Sequence, residues 1–303
     1  MSPQTLLVGL GAPKAGTTWL AAYLRDHPDC ASFGPKELHF FNAARNGRLD
    51  RQIDEQRRKL DRMTARSARG GLEPWRETRL RGRIEACARW IEALRGGADR
   101  DWLAYLAWSG RGVKVAFDIT PPYALLPVET YRRMTALHPN VRFVYLVREP
   151  VARLWSNARM WANRRAREAG RAADDASLEA SARGIMRGAV DGSEPELMAR
   201  ADYASVLGKL SALSALSPGR VHVGFYEELF TDEGVGAICD HLGIARRPGD
   251  YGRRVWSNDR KAVLDDETGG RAREALGPQY AAVRAWFGRL PEAWTAGGVA
   301  EAA

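Results

Sequence analysis

The chain has 303 residues, of which 45% are hydrophobic, and a formal net charge of +9. This length and apolar content suffice for one large core, and no linker rich in Pro, Gly or Ser divides the chain, so we expect a single domain over residues 1–303. No window approaches a membrane-spanning apolar stretch and no leader-like segment precedes the first apolar run, which predicts a cytoplasmic protein without stable membrane insertion. Three widely spaced cysteines indicate neither a disulfide framework nor a metal site.

The positive charge admits three kinds of partner: nucleic acid, an acidic membrane surface or small anionic ligands. The sequence has no zinc-ligand spacing, no aromatic-interleaved basic motif and no long block of Lys or Arg, which disfavours nucleic acid. A polyanionic nucleotide explains the excess charge more simply, although a high background use of arginine is an alternative explanation.

Apolar periodicity predicts alternating strands and helices, which indicates an α/β protein with a central, mostly parallel sheet flanked by helices. A polar segment rich in Gly and Ala, residues 168–201, is predicted to be mobile and to lie over the site. The predicted elements are, in chain order, strand 5–8, helix 17–25, helix 50–69, helix 83–94, strand 114–119, helix 128–137, strand 141–147, helix 150–167, helix 203–216, strand 220–226, helix 238–242 and helix 280–290.

The turn between the first strand and the first helix has a glycine-rich pattern. Gly11 and Gly16 keep the glycine spacing of the phosphate loop G-x-x-x-x-G-K-[ST], but Thr17 stands at the lysine position and Lys14 lies inside the loop. Such a turn points backbone N–H groups and the positive end of a helix dipole at one anion. The displaced lysine indicates an anion other than the one that nucleoside triphosphatases bind, whereas the glycine pair alone would also suit an ordinary turn.

Residues 13–20 read PKAGTTWL, which resembles the 5′-phosphosulfate loop of sulfotransferases that use 3′-phosphoadenosine 5′-phosphosulfate. The resemblance implies a P-loop-like sulfotransferase fold and a cofactor that needs no metal. It also implies that Lys14 offsets the charge of the leaving phosphate and that Trp19 packs on the adenine. The cofactor-binding residues implied for this loop are Lys14, Ala15, Gly16, Thr17, Thr18 and Trp19.

A second motif follows the strand 141–147, where residues 148–156 read REPVARLWS. It resembles the family's R-[DE]-P-x-x-R-x-x-S element, which implies that Arg148 and Ser156 hold the 3′-phosphate. A guanidinium offers phosphate a planar fork, and a serine two helical turns further on faces the same way. Taken alone, Arg148 would also suit a surface salt bridge, and for Arg153 a surface salt bridge is our prediction.

Residues 35–41 read PKELHFF and resemble the K-E-x-H-F-F segment of glycan and bacterial sulfotransferases, whose glutamate is the proposed base. Transfer of a sulfuryl group to an alcohol requires that a base remove the hydroxyl proton. We therefore predict Glu37 as the catalytic base, with His39 as its neighbour or stand-in. Alternatively, Glu37 pairs with Lys36 or an arginine, and His39 is a half-buried structural histidine.

Residues 118–123 read DITPPY and resemble the family's E-x-[ST]-P-x-Y element at the edge of the active site. Asp118 takes the acidic position, where it is expected to orient the acceptor or a lysine on the cofactor side, or else to cap the next turn. One glycan branch has a substrate-contacting lysine where this chain has Ile119. That difference argues against a heavily anionic polysaccharide as the acceptor.

The resemblance covers residues 5–41, 113–165 and 220–243. Most aromatic residues of a variable helical region, residues 43–111, are predicted to lie in the core, although such an insertion is also a reasonable place for an aromatic-lined acceptor pocket. A last cofactor loop has no clean match. Its candidate residues are Arg253, Arg254, Arg260, Lys261, Gly269, Gly270 and Arg271.

The resemblance implies an enzyme that transfers a sulfuryl group from 3′-phosphoadenosine 5′-phosphosulfate to a hydroxyl of a small-molecule, lipid or glycan acceptor. The expected partner is a hydroxylated acceptor, and a homodimer is left open. Two alternatives are a P-loop-type small-molecule kinase, which would depend on ATP and Mg²⁺, and a non-catalytic nucleotide-binding protein of the same fold.

Overall fold

A five-stranded sheet organises the chain in this computed structural model, which describes residues 2–170, 174–252 and 264–295. The strand order is β2-β3-β1-β4-β5, and every pair is parallel. The α/β class and the parallel sheet predicted from the sequence are therefore confirmed. The strands are β1 (Thr5–Gly11), β2 (Cys30–Ala31), β3 (Val115–Ile119), β4 (Val141–Val147) and β5 (Val221–Phe225).

Helices connect the strands and cover the sheet, which is why all seven residues of β1 are buried and can be almost entirely apolar. The predicted helices over 128–137 and 203–216 have the predicted bounds. The helices are α1 (Thr17–Asp26), α2 (Phe40–Arg45), α3 (Leu49–Ala68), α4 (Pro74–Gly96), α5 (Asp99–Ser109), α6 (Val128–Leu137), α7 (Pro150–Glu168), α8 (Asp175–Asp191), α9 (Pro195–Ala199), α10 (Tyr203–Leu216), α11 (Asp232–Leu242), α12 (Asp266–Ala275), α13 (Gly277–Phe287) and α14 (Glu292–Thr295).

The central position of β1 places the candidate site. This strand pairs with β3 on one side and with β4 on the other, so the sheet extends from β1 towards both edges. In open parallel sheets, ligands bind beyond the carboxyl ends of the strands at such a switch point. The segments that follow β1, β3, β4 and β5 all lie at this edge.

The segment 168–201 differs from its prediction. It contains α8 and α9, whose apolar residues pack with α7 and α12 in a second hydrophobic cluster beside the main core. Ile185 and Met186 are buried there, next to Trp161 and Leu276. The many alanines and glycines hid this apolar face, because small residues carry little hydrophobic signal although they pack closely.

Two further expectations concern the cofactor loop near the C-terminus. Gly269, Gly270 and Arg271 lie inside α12 and so do not form a loop. The other candidates, Arg253, Arg254, Arg260 and Lys261, lie outside the described residues. No helix in the ranges that the structure describes has an apolar stretch long enough to cross a membrane.

Candidate active site

The loop after β1 has a backbone that only a few residue types adopt easily. Gly16 precedes α1 with φ of 79°, and a Cβ there would lie 2.9 Å from Leu229 Cδ2. Lys14 also has a positive φ, 68°, which is uncommon for a residue other than glycine and is found at functional sites. Since no side chain caps α1 in the described structure, its first N–H groups are available to an anion.

The other predicted residues of this loop take different places. Ala15, Thr17 and Trp19 are buried, whereas Gly16 and Thr18 are half-buried. The Trp19 ring stacks on Tyr23 and Tyr251, with centroids 5.6 and 6.0 Å away, and its indole N–H donates to the backbone oxygen of Asp250 at 3.2 Å. Trp19 thus belongs to an aromatic cluster beside the loop, and its contact with adenine stays a prediction.

Arg148 joins the two predicted anion-binding motifs. Its Nη1 donates to the backbone oxygen of Lys14 at 3.1 Å, and its guanidinium lies over the Tyr226 ring, 4.5 Å from the centroid. Only 8% of the residue is exposed. Ser156 is half-buried on α7, the helix that begins two residues after Arg148. The end of β4 therefore meets the loop after β1.

Several cations surround Lys14 at this junction. Burial lowers the pKa of the Lys14 ammonium, and the nearby cations Arg148, Arg159 and Lys36 lower it further. Lys14 makes no ion pair with any of the carboxylates that the structure describes. A cluster of cations around a helix N-terminus is a site where an anion would restore the balance of charge.

Arg153 corrects a prediction, because it is not a surface residue. Its side chain is fully buried, with the guanidinium over the Tyr203 ring at 5.2 Å and Nη1 3.5 Å from the backbone oxygen of Pro13. Its Nε and Nη2 have no hydrogen-bond partner in the described structure. Arg153 therefore adds a positive charge beneath the loop after β1, where the sequence pattern had indicated only solvent.

Glu37 and His39 lie together on the segment that precedes α2. The carboxylate accepts from Lys36 Nζ at 2.8 Å, and His39 Nε2 lies 3.2 Å from its other oxygen. Burial raises the pKa of Glu37, but the hydrogen bond from His39 and the charge of Lys36 outweigh burial and lower it to about 2. With 32% of its side chain exposed, Glu37 is an ionised carboxylate that a ligand can reach.

Asp118 contacts none of the described lysines and is shielded from solvent. The expectation that it orients the acceptor or a cofactor-side lysine is therefore wrong. Asp118 is buried and accepts from the Trp102 indole at 3.0 Å, the Tyr123 hydroxyl at 2.9 Å and the Thr120 hydroxyl at 2.6 Å. Burial raises its pKa, while these hydrogen bonds lower it. Its contact with the candidate base is indirect, through the backbone N–H of Leu38 at 3.4 Å.

Two residues near Glu37 had not been assigned a role by sequence analysis. Lys36 was named there only as a structural partner, yet its charge acts on both Glu37 and Lys14. Arg200 is half-buried after α9, and its pKa is lowered by burial while the charge of Glu37 raises it. Sequence analysis did not single out Arg200, because the segment 168–201 was predicted to be mobile and its helices were not recognised.

A cavity of about 730 Å³ opens beside Glu37 and His39, between the segment 34–39 and the helices α3 and α4. The expected aromatic lining is wrong for this cavity, since no Trp, Tyr or Phe is among the described residues that line it. Trp90, Trp102 and Tyr105 of the variable region are buried in the core, as predicted for most aromatic residues there. No group of three or more metal-binding side chains occurs within residues 2–170, 174–252 and 264–295.

The chain matches the family model described as "Sulfotransferase family" over residues 7–248. Its fold is similar to that of a sulfotransferase from Alicyclobacillus acidocaldarius, with a TM-score of 0.58 and 17% identity over 97% of this chain and 99% of the other. It is also similar to the sulfotransferase domain of the Synechococcus PCC 7002 olefin synthase, with a TM-score of 0.52 and 17% identity over 96% and 97%. No curated protein sequence matches the chain. The match to the family model covers most of the chain, which therefore belongs to the sulfotransferase family.

Proposed function

We propose that the protein transfers the sulfuryl group of 3′-phosphoadenosine 5′-phosphosulfate to a hydroxyl of a small-molecule, lipid or glycan acceptor. Membership of the sulfotransferase family supports the reaction class. The assignment of the donor rests on the hydrogen bond from Arg148 to the backbone oxygen of Lys14 at 3.1 Å. This hydrogen bond joins two cationic segments at neighbouring strand ends, and one donor with two separate phosphate positions would suit both.

In this proposal the two ends of the donor bind to different segments. The 5′-phosphosulfate binds at the helix N-terminus, where backbone N–H groups and Lys14 face it. The 3′-phosphate binds Arg148 and Ser156, and the adenine packs near Trp19. A cytoplasmic location and a homodimer stay predictions. The proposed cofactor-binding residues are Lys14, Ala15, Gly16, Thr17, Thr18, Trp19, Arg148 and Ser156.

The proposed chemistry is an in-line displacement at sulfur. The acceptor oxygen forms a bond to sulfur while the bond from sulfur to the 5′-phosphate oxygen breaks, which releases 3′-phosphoadenosine 5′-phosphate. Lys14 and the N-terminus of α1 offset the charge that develops on this leaving group, so the proposal needs no metal ion. The acceptor proton passes to Glu37 or to its hydrogen-bonded neighbour His39.

The low pKa of Glu37, about 2, makes it a weak base towards a free alcohol. The hydroxyl proton becomes far more acidic once its oxygen begins to bond to sulfur. A carboxylate that stays ionised can accept the proton at that stage. The proposal therefore implies that proton transfer accompanies or follows formation of the new bond.

The donor is tested by calorimetric titration with three nucleotides: 3′-phosphoadenosine 5′-phosphate, adenosine 5′-phosphate, which lacks the 3′-phosphate, and ATP with Mg²⁺. We expect Arg148→Ala and Ser156→Ala to weaken binding of the bisphosphate by about 10- to 100-fold, which is the effect of losing a hydrogen bond to a charged group. Binding of the monophosphate should weaken much less. Because Arg148 also holds the loop after β1, equal losses for both nucleotides would indicate a structural role only. Tighter binding of ATP with Mg²⁺ would favour a kinase and overturn the proposal.

Catalysis is tested separately with Glu37→Gln. Intact affinity for the bisphosphate together with lost sulfuryl transfer would support Glu37 as the base. Unchanged turnover would exclude that role. If neither the wild type nor the variant transfers sulfuryl groups to any acceptor although the nucleotide binds, the protein is a non-catalytic member of the family.

A further inference from the structure

The cavity beside Glu37 is large enough to hold most of an acceptor molecule. Its volume of about 730 Å³ lies within the range of cavities that bind small organic ligands. Glu37 and His39 line it at the segment 34–39, and the opposite walls are α3 and α4. If Glu37 receives the acceptor proton, as the proposed function has it, the remainder of the acceptor lies against these two helices.

Charges of one sign dominate the lining of this cavity. Of its two carboxylates, Glu37 pairs with Lys36, and Glu55 pairs with Arg51 on its own helix. Four other cations line the cavity without an ion pair among the described residues, and we call them the basic wall. They are Lys59, Arg62 and Arg66 of α3 and Arg83 of α4.

Several basic residues of the same helices do have acidic partners. The intrahelical pairs are Arg51–Glu55, Arg57–Asp54, Arg81–Glu77, Arg89–Glu85 and Arg95–Glu92. Glu55 has a basic residue four positions away on either side, and although a pair with Lys59 would have the more favourable order along the helix, Glu55 contacts Arg51. The basic wall is therefore without counter-charge on helices where acidic side chains are frequent.

The spacing within the basic wall also has an energetic consequence. Lys59, Arg62 and Arg66 are separated by three and four residues, so they share one face of α3 and repel one another. They extend over roughly 10 Å along the helix axis. An anion in the cavity would remove this repulsion.

We propose that the acceptor carries an anionic group, a carboxylate, sulfate or phosphate, in addition to the hydroxyl that receives the sulfuryl group, and that the basic wall binds this group. The inference rests on the proposed function for the position of the hydroxyl and on the charges of the cavity for the anion. The isoleucine at position 119 does not exclude a highly anionic acceptor, because its side chain is fully buried and cannot contact a ligand.

The test uses pyranine, a fluorescent phenol with three sulfonate groups, and protein saturated with 3′-phosphoadenosine 5′-phosphate so that the donor site is filled. Fluorescence anisotropy measures its dissociation constant. We expect the double variant Arg62→Ala, Arg83→Ala to bind pyranine at least tenfold more weakly. The matched control is Arg58→Ala, Arg79→Ala, which removes one exposed, unpaired cation from each of the same helices away from the cavity, and should change binding less than twofold.

Failure of wild-type protein to bind pyranine, or equal weakening by the two double variants, would overturn the anionic-acceptor inference and leave the proposed function intact. Binding of pyranine that depends on Arg62 and Arg83, in a protein that does not bind the bisphosphate, would retain the anion site and overturn the proposed function. Thermal unfolding of each variant checks that the substitutions leave the fold unchanged, as expected for exposed side chains.

Discussion

The two sides of the candidate active site are built in different ways. The proposed donor side consists of two short segments at the ends of β1 and β4, where backbone groups and adjacent residues make the contacts. The proposed acceptor side consists of the segment 34–39 and the faces of α3 and α4, which are separated by up to about fifty residues along the chain. A contiguous segment can be recognised as a motif in the sequence, whereas a cavity between distant helices cannot.

The comparison also shows where each side has its rigidity. On the proposed donor side, Lys14 and Gly16 both have positive φ, and the hydrogen bond from Arg148 to the backbone oxygen of Lys14 ties the loop to the end of β4. On the acceptor side, the buried carboxylate of Asp118 and the hydroxyl of Thr120 hold the segment that carries Glu37, through the backbone of Leu38. Substitutions on each side test whether the two sides are held in place independently.

The largest effect is expected on the donor side, from Lys14→Met. Loss of the cation beside the leaving phosphate should lower kcat by about 10²- to 10³-fold, the range for removal of one group that stabilises transition-state charge. Steady-state kinetics with the phosphosulfate donor measure this. The control is Lys114→Met, which removes an exposed lysine that pairs with Asp29 far from the loop. A kcat within threefold of the wild type would remove Lys14 from the mechanism.

A smaller effect is expected from substitutions of Asp118 and Thr120, which hold the segment that carries Glu37. Asp118→Asn places an amide where the carboxylate accepts from Trp102, Tyr123 and Thr120, so a buried donor loses its acceptor and unfolding should become easier by about 2–3 kcal/mol. Urea denaturation measures the loss. Thr120→Val removes the oxygen that accepts from Leu38 N–H, and should lower kcat with less loss of stability. Wild-type stability of Asp118→Asn would contradict the role of this network.

The next largest effect is expected from a substitution that changes the backbone of the loop after β1. Gly16→Ala introduces a Cβ at positive φ and against Leu229, which should destabilise the protein by about 1–2 kcal/mol and weaken the bisphosphate. The matched control is Gly47→Ala, because Gly47 also has positive φ, 62°, but has open space around its Cβ. Similar loss of nucleotide affinity in both variants would show that the contact with Leu229 is unimportant.

The smallest effect is expected from the ionisation of Glu37. Its pKa is lowered from 4.5 to about 2 in the folded protein, so it contributes stability above pH 4.5 that is lost as the pH falls towards 2. Glu37→Gln should remove this pH dependence between about pH 2 and 4.5 and lower the free energy of unfolding by a constant amount at higher pH. An unchanged slope would show that the contacts with Lys36 and His39 do not persist in solution.

The same ionisation distinguishes the two candidate bases. If Glu37 takes the proton, kcat should show no acidic limb above about pH 4, because the carboxylate is already ionised there. If His39 takes it, His39→Asn should lose sulfuryl transfer while Glu37→Gln keeps it. A pH–rate profile of the wild type tests the first case, and kcat of His39→Asn tests the second.

Sequence reasoning predicted the donor side and most of the core. The strands over 141–147 and 220–226 and the helix over 128–137 are signalled by apolar periodicity, which the burial of one helix face or a whole strand imposes directly. The edge strand β2 was missed because two residues carry no period. The helices α8 and α9 were missed because their packed face is made largely of small residues.

Local periodicity was enough to predict the parallel α/β fold, and short motifs of glycine, lysine and arginine were enough to predict the two segments that we propose bind the donor. The burial of Arg153 beneath the loop after β1, the position of Asp118 behind Glu37 and the basic wall opposite Glu37 became evident only from the folded chain. Burial, hydrogen-bond partners and the net charge of a cavity depend on residues that are distant in the sequence and come together only when the helices pack.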